Sequence, residues 1–67
     1  MQEKEKLKQK IVQALNKEGI IWFIVQEVED SLDYLNKYKL QNIVDNLDLF
    51  VNDIKRLSNS YENVLAW

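Results

Sequence analysis

The chain has no cysteine, no histidine, no proline and no threonine, and one glycine in 67 residues. Each absence removes a class of chemistry. Without cysteine there is no disulfide, no thiolate nucleophile and no cysteine zinc site. Without histidine there is no imidazole base and no histidine metal ligand. Gly19 stands alone, so no glycine-rich loop can cradle a phosphate. Near-absence of Gly and Pro also removes the punctuation that hairpins and short strands need, which leaves helix as the expected structure. No catalytic residue, cofactor or metal is assigned, and the chain is read as non-enzymatic.

Long apolar runs are missing too. The longest is Ile20–Val25, far short of the roughly 20 apolar residues of a membrane span. The first residues, Met1 to Lys6, mix charges rather than leading into an apolar core, so no signal peptide is read there. The expected location is cytoplasmic. Abundant Lys, Asn and Ile fit an AT-rich genome, phage genomes included.

What is present is an apolar pattern of helical period. Leu40, Ile43, Leu47, Phe50, Ile54, Leu57, Tyr61 and Val64 recur at alternating steps of three and four, a heptad-like seam. Val44, Val51 and Leu65 widen it. A second seam runs from Leu7 through Ile11, Ala14, Glu18, Ile21, Val25, Val28 and Leu32 to Leu35, with only Glu18 out of character. Its unbroken register favours a single helix over residues 2–36 rather than a helix that stops at Gly19. Residues 36–39 read as a turn, because Asn tolerates the left-handed conformation that ends a helix. A second helix then covers 40–66, with Ser58-Asn59-Ser60 as a break, since these side chains compete for backbone hydrogen bonds. The expected fold is one all-α domain over residues 1–67. It is a long helical hairpin, or else a three-helix bundle, pairing into a dimeric bundle of the four-helix type.

The pairing expectation rests on apolar surface in excess of one seam. Ile20-Ile21-Trp22-Phe23-Ile24-Val25 is apolar around the whole helix, and such a girdle needs covering on several sides. A homodimer would cover it, as would a third helix of the same chain, and another protein is the remaining candidate. The contact residues expected from this are Ile20, Trp22, Phe23, Tyr34 and Tyr38, with Glu27, Asp30 and Asp33 as a polar rim. Trp67 is either a packing plug or an exposed anchor.

Charge is unevenly placed. Net charge is +3 over residues 1–17, −5 over 18–36 and zero over 37–67. The acidic stretch reads first as a solvated helix face. The basic stretch, Lys4, Lys6, Lys8 and Lys10, alternates every second residue and so spreads round a helix instead of forming a stripe. The leading expectation is a small protein–protein interaction module, a regulator, adaptor or inhibitor that occupies a partner's surface. The alternative is a small nucleic-acid-binding regulator using the lysine-rich end. Membrane binding is not expected, because the apolar run has acidic residues on its C-terminal side.

Overall fold

A computed structural model describes residues 3–65, and Trp67 lies outside them. Among the described residues there are four helices and no strand: α1 (Glu3–Lys17), α2 (Trp22–Leu32), α3 (Lys37–Asp45) and α4 (Leu47–Leu65). The all-helical expectation holds. The expectation of one helix across residues 2–36 does not.

Gly19 is where that helix stops. Its φ is +72°, a conformation that costs other L-residues roughly 1–2 kcal/mol. Gly19 N–H donates to Asn16 O at 3.1 Å, and Ile20 N–H reaches back to Leu15 O at 3.3 Å. This pair of bonds is the Schellman arrangement, and its usual apolar contact is between the residues holding the positions of Leu15 and Ile20. Both side chains are buried in the core. Two carbonyls at the end of α1 are thereby satisfied and the chain reverses. The register survives the reversal because each helix turns its own seam residues inward: Ile11, Val25 and Leu32 are buried, while Leu7, Ala14, Ile21, Val28 and Leu35 pack partly buried against them.

The 36–39 turn is also corrected. Asn36 is extended, with φ −81° and ψ 171°, and its side chain accepts from Lys39 N–H at 2.9 Å. It is the N-cap of α3, a role Asn fills by offering an oxygen to an otherwise unpaired amide. Helix therefore begins at Lys37. The interruption expected at 58–60 is absent, and α4 runs through it. The break falls at Asn46 instead, whose amide N–H is shared between Asn42 O and Ile43 O while its side-chain amide also donates to Asn42 O. Asn46 departs from helical geometry at φ −119°, ψ 39°, yet Phe50 N–H still bonds to its carbonyl. The axis is interrupted for one residue and resumes.

α3 and α4 thus form one jointed rod. Residues 37–65 at about 1.5 Å per residue span about 43 Å, close to the molecule's long dimension of 45 Å. α1 runs alongside in the same direction: Lys37 Nζ meets Glu3 at 3.5 Å at one end, and Lys55 Nζ meets Glu18 at 3.4 Å at the other. α2 returns antiparallel, carrying Asp33 back to Lys4 and Lys8. The result is a three-helix bundle whose third member is jointed. The backbone of α1 lies close to α2, α3 and α4, whereas the backbone of α2 stays farther from the α3–α4 rod, which it meets through side chains.

Ser58 makes a polar link between α2 and α4. It is the one buried polar residue among the described ones. Its hydroxyl accepts from Ile21 N–H at 3.3 Å. Ile21 begins α2 and has no side-chain cap of its own, so α4 supplies the acceptor that α2 lacks. Such a bond contributes about 1 kcal/mol.

Candidate interaction groove

The wide spacing of α2 from α4 has a visible result. Between them lies a groove of about 270 Å³, lined by Phe23, Ile24, Glu27 and Val28 on α2 and by Ile54, Leu57 and Tyr61 on α4. All but Glu27 and the Tyr61 hydroxyl present carbon. α2 packs on α1, and its backbone stays clear of the α3–α4 rod. Along that rod Leu40 and Val51 are buried and Ile54 is partly buried, but Leu57 and Tyr61 are 57% and 51% exposed.

Three aromatic rings gather at one end of the groove. Phe23 and Tyr61 meet edge to face, with centroids 5.2 Å apart at 79°, and Trp22 meets Phe23 at 6.0 Å and 86°. T-shaped pairs of this kind add about 0.5–1.5 kcal/mol beyond the area they bury. They hold the rings in place while leaving Trp22 78% exposed. Trp and Tyr are the residues that most often dominate binding surfaces, because a rigid ring gives large contact area for little lost entropy.

The residues singled out from sequence separate into four groups. Phe23 and Glu27 line the groove, with Trp22 against Phe23. Ile20 is 7% exposed and belongs to the core, because the Schellman turn folds it over Leu15; it is not a contact residue. Tyr34 lies in the α2–α3 turn, and Tyr38 sits on the α1–α3 side beside Glu3 and Leu7 with the Lys37 ammonium 5.7 Å from its ring. These two tyrosines are exposed but do not join the groove. Asp30 is exposed on α2 and accepts from Gln26 at 3.4 Å. Leu57 and Tyr61 were legible only as seam residues, and their place on an open surface comes from the fold.

Asp33 is occupied within the chain. Its carboxylate pairs with Lys8, and its carbonyl accepts from Lys4 Nζ at 2.9 Å. The hydrogen bond to Asp33 raises the Lys8 pKa above the ordinary 10.5, against some desolvation. Lys8 is therefore firmly cationic at neutral pH and is spent on tying α1 to the end of α2. Lys4, Lys6 and Lys10 remain exposed. Because α1 and α3 start at the same end, exposed Lys37 and Lys39 lie there too.

A larger concavity lies elsewhere, between α1 and α4, and is bounded mainly by polar side chains such as Lys17, Glu18, Asp48 and Asn52. Among the described residues no group of three or more carboxylates converges as a metal site, and no helix is long and apolar enough to cross a membrane. Comparison with protein-family models, curated proteins and solved structures gives no match. Function is therefore read from this chain's own surface.

Proposed function

We propose that the protein is a small non-enzymatic interaction module, acting as a regulator, adaptor or inhibitor by occupying a partner's surface through the α2–α4 groove. The observation that carries this reading is the unfilled seam: Leu57 and Tyr61 continue a core pattern onto a face that the described helices leave more than half exposed. A contiguous apolar surface flanked by polar residues is the usual mark of a binding site in a soluble chain. An extended two-walled groove of this kind suits one amphipathic helix, as in helix-in-groove recognition. A second copy of the chain, giving a homodimeric bundle, is the other way to fill it.

The test places a photo-crosslinking residue at Leu57 and, as a control, at exposed Gln13, in the cell that encodes the protein. A discrete adduct is expected from position 57 and not from position 13. Trp22→Ala with Tyr61→Ala should weaken it at least about tenfold, as loss of aromatic hot-spot contacts does, while far-UV helicity is kept. Identical adducts from both positions would remove the groove from the function.

A second reading is supported by the lysines gathered at one end, Lys4, Lys6 and Lys10 of α1 with Lys37 and Lys39 of α3. Such a cluster can contact phosphates, and binding would then fall with salt as counterions are released. Changing Lys4, Lys6 and Lys10 to Gln is expected to abolish any gel shift with duplex DNA or structured RNA and to leave the Leu57 adduct unchanged. A parent protein that shifts neither nucleic acid at low salt ends this reading.

A further inference from the structure

The groove's edges carry information about what fills it. On the α2 wall Glu27 lines the groove, and Asp30 follows one turn later on the exposed side. No basic residue occurs anywhere from 18 to 36. On the α4 wall Asp53 stands one turn before Leu57, with its side chain 70% exposed and ion-paired to Arg56 at 3.6 Å. An apolar floor thus runs between an α2 edge that is acidic throughout and an α4 edge whose exposed carboxylate is already partly balanced by Arg56. Its length follows from Ile54 and Tyr61, seven residues apart on α4, or about 10 Å. That is two turns of an incoming helix, enough for apolar anchors at positions i, i+3 or i+4, and i+7.

Resting on the interaction reading above, we infer that the partner element is an amphipathic helix of another protein, with about two turns of aliphatic or aromatic residues flanked on both sides by Lys or Arg. A basic flank on each side would meet a carboxylate at each rim, which steers encounter and sets orientation. A second copy of this chain fits less well. A two-fold partner presents the same surface, so the acidic α2 of one copy would lie against either the α2 or the Asp53 flank of the other. Carboxylates would then face carboxylates.

The test uses the full-length, isotope-labelled protein and two synthetic helical peptides that share one leucine face. One has lysine along both edges of that face and the other has glutamate. The lysine peptide is expected to move the resonances of Phe23, Glu27, Leu57 and Tyr61 and the Trp22 indole. It should bind about tenfold tighter than its glutamate twin, from several weak rim pairs acting together. Glu27→Lys with Asp30→Lys and Asp53→Lys should reverse the preference, and salt near 1 M should erase it as the screening length drops to about 3 Å. Equal binding of the two peptides would overturn the basic-partner inference and leave the interaction groove standing. If neither peptide binds, but the same resonances move as the protein alone is concentrated and a dimer mass appears, the occupant is a second copy and this inference falls by itself. If neither peptide nor concentration moves these resonances, the interaction reading falls with it.

Discussion

Leu40→Ala is expected to destabilise the protein by about 3 kcal/mol, the cost of emptying a fully enclosed leucine site in a core that cannot collapse around it. Leu40 is 0% exposed and is the one fully buried side chain contributed by α3. It stands at the start of the rod, so the void opens where α3 packs along α1. Small domains typically hold about 5–15 kcal/mol in all, and at this size about 1 kcal/mol shifts the melting point by about 4–8 °C. A drop of about 12–24 °C in the far-UV circular dichroism melt follows. Leu49→Ala is the matched control, being the same change at an exposed position of α4, and its melt should stay within a few degrees of the parent, as surface changes of about 0.5 kcal/mol do. Equal melts for the two variants would mean that α3 does not pack on α1.

Gly19→Ala is expected to act on topology as well as on stability. A methyl group there meets no atom within 4 Å, so the penalty is conformational alone: roughly 1–2 kcal/mol for a left-handed alanine. The same substitution favours continuous helix by about 1 kcal/mol. Together these tilt the balance between a reversed and a straight α1–α2 junction by about 2–3 kcal/mol. The straight form is not a disordered alternative, because the seam from Leu7 to Leu35 keeps its phase across residue 19. A straightened chain can pack its displaced α2 on another copy's α1, which is domain exchange by a hinge substitution. Sedimentation of Gly19→Ala should therefore reveal an exchanged dimer absent from the parent at equal concentration, and Gly19→Asn should show less of it, since Asn tolerates the left-handed region. A Gly19→Ala protein with the parent's mass and melt would show that the turn is held by contacts elsewhere.

That same phase continuity explains which parts of the fold could be read in advance. The two seams marked Ile11, Val25, Leu32 and Leu40 as buried, because a residue's phase relative to its own helix decides burial whether or not the chain reverses. Buried Leu15, Ile20, Ile24 and Val51 lay off them. The reversal itself was signalled by Gly19 together with the apolar pair Leu15 and Ile20, which is the fuller Schellman signature; the uninterrupted register masked it. Asn36 carried a cap signal that resembled a stop signal, since the same side chain serves both ends of a helix. Ser58 was misread for a different reason. Its hydroxyl does compete for a backbone amide, but the amide belongs to Ile21, 37 residues away. No local pattern contains that partner.

The groove was half legible. Phe23, Glu27 and Trp22 stood out from composition, whereas Leu57 and Tyr61 looked like core. Their exposure depends on α2 packing toward α1 rather than onto α4, a property of the assembled bundle. Ile20 was misplaced in the other direction, because a single apolar run on a straight helix cannot indicate which of its members a turn will fold inward.

The hub position of α1 sets a hierarchy of opening. Every other helix is anchored on it, so its amides near Ile11 and Leu15 become accessible to solvent exchange only when the whole molecule unfolds. The outer turns of α4 are held by less, chiefly the Ser58 hydrogen bond and the Phe23–Tyr61 ring contact with α2. They can breathe as a separate, weaker unit, and the groove wall they form is the part of the molecule able to adjust its width to what enters.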